Sequence, residues 1–196
     1  MRLLYSIGIY VASFHLKLIA LFNTKLKQGV NGRKETFKKL NETIKANDKT
    51  FWFHCASLGE YEQGLPVFEA LKKRYPSFKV VLSFFSPSGY EVKKNTQIAD
   101  VVVYLPLDTK TNAKRFLAII NPDYIVFVKY EIWPNFLLEM KKRHLSFWGT
   151  DDNPVMTRAG GRVNLIGEHV DYPDLQFSQT CKCAELNHFK FKERNC

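Results

Sequence analysis

The sequence predicts an α/β fold in which helices cover both faces of a doubly wound parallel sheet. Short apolar segments rich in Phe and Val recur along residues 51–148. Segments whose apolar residues follow helical spacing stand between them, and Pro, Gly and Ser mark the junctions. A hydrophobic fraction of 45% with 16 Phe is enough for a core. Strands that alternate with helices of this length imply right-handed βαβ units.

The elements follow from these patterns in order. The predicted strands cover residues 51–55, 78–85, 101–105 and 124–128, with 144–148 as a candidate fifth strand. The predicted helices cover residues 65–75, 89–97 and 111–120, and a last helix opens at Trp133-Pro134. In the first of these helices Phe68 and Leu71 share one stripe, and Pro66 is expected in the first turn, where its missing N–H costs little.

The N-terminal segment, residues 1–22, is almost entirely apolar. A spanning helix needs about 20 apolar residues, and Lys17 lies too deep for a comfortable one, although a Lys near the end of such a segment reaches the headgroups. The following segment, residues 23–50, is rich in Lys and is predicted to be a basic linker or helix. This order predicts a membrane-anchoring helix on the cytoplasmic face of the inner (plasma) membrane, held by anionic lipid. The alternative is a buried N-terminal helix with a solvated basic neighbour.

The formal net charge of +10 indicates an anionic partner. Nucleic acid is not expected, because the sequence has no RNP aromatic motif, zinc-finger spacing or Arg-rich recognition helix. Three of the four Cys lie in the last sixteen residues, which is no disulfide framework and favours a reducing compartment. Cys181 and Cys183 with His188 lack a second well-spaced pair, so no metal site is predicted.

Three predicted strands end in loops with polar residues: 57–60, 86–91 and 129–135. The carboxyl ends of parallel strands share one edge of a sheet, here called the carboxyl edge, and ligands bind there. Each loop also has an ordinary structural interpretation, as a helix N-cap or a solvated or ion-paired acid. Together, Glu60, Glu131 and the hydroxyl-rich helix start at 86–91 predict a site where a carboxylate acts as general base toward a sugar hydroxyl, beside an anion-binding helix start.

The motifs HCASLGE, SFFSPSGYE and KYEIWPN, in this order and spacing, resemble the N-terminal domain of the 3-deoxy-D-manno-octulosonic acid (Kdo) transferases. The resemblance covers about residues 1–146. It implies one Rossmann-like half of a GT-B glycosyltransferase that moves Kdo from CMP-Kdo to a lipid A precursor, with inversion and without metal or other cofactor. It also implies that Glu60 is the general base and Glu131 a second essential acid. The acceptor cleft would be lined by Ser57, Gly59, Ser86, Ser88 and Gly89.

The chain departs from that family at Cys55, where a small residue is usual, and at Lys129, where an acid is common. Near Phe147 it leaves the pattern altogether. The family's second, donor-binding domain is not visible, so the resemblance implies half an active site. We therefore expect little turnover from this chain alone. A non-catalytic module that binds glycolipid or membrane is the alternative function.

Residues 158–172, RAGGRVNLIGEHVDY, resemble the sugar-binding signature of galactokinases, and a galactokinase-like fragment is a further alternative. The matching positions are Arg162, Asn164, Gly167, Glu168, His169 and Asp171. The phosphate loop that these kinases need is missing. The tail, residues 149–196, is expected to be mostly irregular. Two incomplete signatures favour the hypothesis of a joined or frame-shifted reading frame.

Overall fold

The fold is built on a parallel sheet in the part of the chain that the computed structural model describes, residues 2–128 and 133–148. Its strands are β1 (Thr50–Cys55), β2 (Lys79–Phe84), β3 (Val101–Tyr104) and β4 (Tyr124–Phe127). Their spatial order is β3-β2-β1-β4, with Phe53 of β1 opposite Leu82 of β2 and Val126 of β4. The predicted fold class and the four predicted strands are confirmed.

Six helices surround the sheet in this described part. They are α1 (Arg2–Ile19), α2 (Thr24–Thr43), α3 (Leu58–Arg74), α4 (Pro87–Lys93), α5 (Lys110–Ile120) and α6 (Pro134–Trp148). The central strand β1 sends alternate side chains to opposite faces. The Phe53 ring stacks on Phe68 of α3 at 4.1 Å, while Trp52 lies 5.0 Å from Phe116 of α5 and 5.6 Å from Phe136 of α6. Both faces of the sheet are therefore covered.

The predicted start of the helix after β1 was wrong. The helix begins at Leu58 rather than at residue 65, and Pro66 lies in its interior instead of its first turn. Ser57 is extended, and its carbonyl accepts from the Tyr61 N–H at 3.2 Å, so the helix follows the strand with almost no loop. Gly59 and Glu60 consequently lie in the first turn of α3.

The candidate fifth strand at 144–148 was also wrong, because these residues continue α6. Helical spacing explains the difference: Phe136 is buried and Met140, one turn later, packs against the same core. The helix predicted at 89–97 is shorter than expected, since α4 ends at Lys93.

The N-terminal helix α1 presents many large apolar side chains to solvent. Those of α1 and the turn after it include Leu4, Ile7, Tyr10, Val11, Phe14, Leu18, Ile19, Leu21 and Phe22. Among the described residues, no helix combines the length and apolarity needed to cross a bilayer. The next helix, α2, lies tightly against the sheet: a Cβ on Gly32 would be 2.2 Å from the Tyr104 ring.

Candidate active site at the carboxyl edge

The loops after β1 and β2 are bonded to each other at the carboxyl edge. The Phe85 N–H donates to the Cys55 carbonyl at 3.3 Å, and the Ser86 N–H donates to the Ala56 carbonyl at 2.8 Å. Just beyond, a Cβ on Gly89 would lie 2.3 Å from Cδ1 of Phe84 and 3.1 Å from the amide nitrogen of Leu58. The first turns of α3 and α4 therefore lie side by side, and only glycine allows this approach.

The two glycines predicted to line the site give a matched pair of variants. We expect Gly89→Ala to lower the free energy of unfolding by about 1–3 kcal/mol, because its methyl group overlaps Phe84. A Cβ on Gly59 would meet nothing within 4 Å, so Gly59→Ala should be neutral or stabilise α3 by up to about 1 kcal/mol. Urea denaturation of both variants measures the difference. Equal losses would contradict the close approach of α3 and α4.

Glu60, in the first turn of α3, is buried, with only 6% of its surface exposed. Its Oε2 accepts a hydrogen bond from the Ala56 N–H, the amide just ahead of the N-cap Ser57. An acid here is favoured by the positive end of α3. The bond fixes the carboxylate in one orientation, which both a helix start and a general base require. The structure therefore places Glu60 where either role is possible.

The predicted hydroxyl groups serve different purposes. The Ser86 Oγ accepts from the Ser88 N–H at 3.3 Å and lies 3.0 Å from the Ser88 Oγ, so Ser86 is the N-cap of α4. This is the ordinary structural role considered for it. Ser57 is the N-cap of α3, yet its side chain makes no capping hydrogen bond. The half-buried Ser57 hydroxyl is thus not committed to the helix start.

The third motif is only partly described. Glu131 lies outside the described residues, together with the rest of 129–132, so its meeting with Glu60 stays a prediction. Trp133, the next residue, is described and half-buried, and its ring lies 5.0 Å from the ring of Phe85. The described end of the third motif is therefore in contact with the loop after β2.

Asp108, in the loop after β3, was not predicted as part of this edge. It is fully buried and holds the start of α6: Oδ1 accepts from the Phe136 N–H and Oδ2 from the Asn135 N–H, both at 3.0 Å. Tyr5 of α1 donates its hydroxyl to the same Oδ2 at 2.7 Å. Burial, and then the bond to Asp108, raises the pKa of Tyr5, so the hydroxyl keeps the proton that it donates. No local sequence signal marks this carboxylate, because it caps a helix from another loop.

Arg33 of α2 was also missed, because it stands in the basic segment attributed to membrane attraction. Its Nε donates to the Leu105 carbonyl at 3.0 Å and its Nη2 to the Phe85 carbonyl at 2.8 Å. The guanidinium lies 4.8 Å from the Phe85 ring centre, and burial lowers its pKa. The sequence does contain a pattern that could have predicted this contact. Gly29, Gly32 and Thr36 are small residues at helical spacing around Arg33, and they let α2 approach the carboxyl edge.

Within residues 2–128 and 133–148, no three His, Cys, Asp or Glu side chains form a group that could hold a metal ion. The carboxyl edge provides a carboxylate held in one orientation, a serine hydroxyl that makes no capping hydrogen bond, and two adjoining helix starts.

A parallel α/β sheet with ligand-type motifs after its strands defines the Rossmann-like class of ligand-binding domain. The comparison with known families is more specific. The chain belongs to the 3-deoxy-D-manno-octulosonic-acid transferase (kdotransferase) family, which matches residues 31–148. The predicted resemblance is thereby confirmed. The galactokinase galactose-binding signature matches residues 142–177, most of which lie outside the described residues.

Curated relatives agree with the family assignment. The chain is 32% identical over 101 residues to the 3-deoxy-D-manno-octulosonic acid transferase of Aquifex aeolicus, covering 51% of this chain and 28% of that protein. The Haemophilus influenzae transferase is 32% identical over 98 residues, 49% of this chain and 23% of the relative. The Chlamydophila psittaci transferase is 32% identical over 93 residues, which are 46% of this chain and 22% of the relative. The chain spans about a quarter of the length of these relatives.

Proposed function

We propose that this chain is the acceptor-binding half of a glycosyltransferase that transfers Kdo from CMP-Kdo to a hydroxyl group of a lipid A precursor. The observation that supports this most directly is the convergence of the family motifs at one edge. Gly89 of the second motif lies against Leu58 of the first, and Trp133 of the third contacts Phe85 of the second. A cleft assembled from several strand ends is the usual place for a ligand in such a sheet.

In this proposal Glu60 is the general base. It takes the proton from the acceptor hydroxyl while that oxygen attacks the anomeric carbon of Kdo, and CMP leaves with the electron pair of the broken bond. Attack opposite the leaving group inverts the configuration. The burial of Glu60 and its bond to the Ala56 amide support the role, because a general base must be held in reach of the proton.

The remaining predicted residues would bind the acceptor. Glu131 would be the second acid of the site. Gly59 is exposed and a Cβ there would meet open space, which suits a residue that lets an acceptor approach the backbone. The acceptor-lining residues of the proposal are Ser57, Gly59, Ser86, Ser88 and Gly89, of which Gly89 would act by keeping the two helix starts together.

We place the protein at the cytoplasmic face of the inner membrane, with α1 lying on the bilayer. The exposed apolar side chains of α1 and the turn after it support this position, with Leu4 73%, Phe14 60% and Phe22 92% exposed. A patch of this kind marks a membrane or partner surface rather than a solvated helix. An acceptor anchored by acyl chains would be met at this surface.

The transfer assay tests the proposal. We expect the 196-residue chain alone to give little product from CMP-Kdo and a lipid A precursor, because the proposal assigns its residues to acceptor binding and none to binding CMP-Kdo. Addition of a separately expressed C-terminal half of the Aquifex aeolicus transferase should raise the rate. Acceptor binding is measured in parallel by calorimetry.

Three outcomes point elsewhere. Robust transfer by the chain alone would contradict its role as half of the enzyme. Acceptor binding without transfer in the mixture would favour a non-catalytic glycolipid-binding module. Phosphorylation of galactose by ATP would favour the galactokinase-like alternative, which the match at residues 142–177 makes specific enough to test.

A further inference from the structure

A groove of about 370 Å³ lies between α1 and α2. It is lined by Lys17, Ala20, Leu21, Lys27, Val30, Asn31 and Lys34. Three ammonium groups from two helices therefore surround one concave surface, and none of the lining residues is a carboxylate. Like charges gathered in this way repel one another unless an anion occupies the space between them.

The lysines of this groove are available to a ligand. All three are exposed, and Lys27 and Lys34 lie on one face of α2, about two helical turns apart. Lys34 donates to the Asn31 Oδ1 at 3.2 Å. Within the described residues, neither Lys17 nor Lys27 is in an ion pair, although α2 itself has acidic side chains. The groove thus has a net positive charge that the rest of the described fold leaves uncompensated.

Two strongly exposed apolar side chains belong to this region. Leu21, which lines the groove, is 71% exposed, and Phe22, the next residue, is 92% exposed. An anionic group bound by the lysines would therefore have an exposed apolar side chain, Leu21, beside it. A phospholipid has the same arrangement, with a phosphate joined to acyl chains.

A second basic groove lacks this arrangement. It lies on α5, has a volume of about 500 Å³ and is lined by Lys110, Thr111, Lys114, Arg115 and Ala118. Among the described residues, no large apolar side chain near this part of α5 is as exposed as those at the end of α1. The α5 groove has the charge without the apolar neighbours, so it serves as an internal control.

We propose that the α1–α2 groove binds the phosphate of an anionic phospholipid headgroup while Leu21 and Phe22 enter the bilayer. This inference rests on the proposed position of α1 at the membrane. It adds that the preference for anionic lipid resides in one groove and not in the overall charge of +10. Each lysine near an anionic surface contributes about 1 kcal/mol to binding.

Vesicle sedimentation tests the proposal with matched charge removal. The full chain, Lys17→Gln/Lys27→Gln and Lys110→Gln/Lys114→Gln are each mixed with phosphatidylcholine vesicles, with and without phosphatidylglycerol, at one salt concentration. We expect the α1–α2 double variant to bind phosphatidylglycerol vesicles at least about tenfold more weakly than the unmodified chain. The α5 double variant should change by less than about threefold. Binding to neutral vesicles should be unaffected in both.

Other results overturn the inference. Equal losses in both double variants would mean that the overall field of the protein attracts the membrane, and no loss in either would exclude the groove. Inorganic phosphate, added at constant ionic strength, should not abolish the difference between the variants. If it does, the groove binds free phosphate. Sedimentation of the full chain with neutral vesicles tests the position of α1 separately, so its failure is distinguishable from that of the groove.

Discussion

Glu60→Gln is expected to lower the rate of Kdo transfer by about 10²–10⁴-fold in the mixture with a donor half. The amide oxygen of Gln still accepts the hydrogen bond from the Ala56 N–H that the carboxylate accepts now. It does not accept a proton from the acceptor hydroxyl. The substitution thus leaves the start of α3 intact and removes the base. The measurement is the initial rate of product formation at saturating CMP-Kdo.

Two controls separate chemistry from folding. Glu60→Ala also removes the bond to the Ala56 amide, so the free energy of unfolding should fall by about 1–3 kcal/mol in addition to the lost rate. Glu62→Gln neutralises a carboxylate on the same helix that is 51% exposed and paired with Lys93, and should leave the rate unchanged. Full transfer by Glu60→Gln would limit the carboxylate to its role at the helix start.

Asp108→Ala should have the largest effect on stability, lowering the free energy of unfolding by about 3 kcal/mol or more. The substitution leaves the Asn135 and Phe136 amides without the carboxylate that accepts from both, at a fully buried helix start. Tyr5 loses its acceptor as well. Urea denaturation followed by circular dichroism gives the value.

The contribution of each partner follows from milder variants. Tyr5→Phe removes one hydrogen bond and should cost about 1 kcal/mol. Asp108→Asn keeps one carbonyl oxygen as an acceptor, so its loss of unfolding free energy should lie between those of Tyr5→Phe and Asp108→Ala. A loss for Asp108→Ala no greater than that for Tyr5→Phe would show that the α6 amides find other acceptors.

The strands were predictable because each is a short apolar run with its own boundaries. Residues 78–85 stand between Pro76 and Pro87, and residues 124–128 follow Asn121, which ends α5 in the left-handed conformation. The start of α3 was not predictable from the same signals. Small residues and glycine at 56–59 are typical of a turn, yet an N-terminal helical turn accepts them equally well. The helix forms here instead of a turn because it buries the side chains of Tyr61 and Phe68.

The candidate site was predicted where residues are close in sequence and missed where they are distant. Glu60 and Gly89 follow directly from the motifs after β1 and β2. Arg33 and Asp108 act on backbone groups of other segments, Leu105 and Asn135 among them, and such partners are fixed only by tertiary structure. The shared position of Glu60 and Glu131 remains a prediction.

The helix α2 runs along both the α1–α2 groove and the carboxyl edge. Near its start it contributes Lys27 to the α1–α2 groove, and Arg33 bonds the loops after β2 and β3. Lys34, the residue after Arg33, also lines this groove, so the two regions overlap along the helix axis. If a bilayer contacts the groove as proposed, it would lie beside the carboxyl edge, and an acceptor held in the leaflet by its acyl chains would meet the loops after β2 and β3 there.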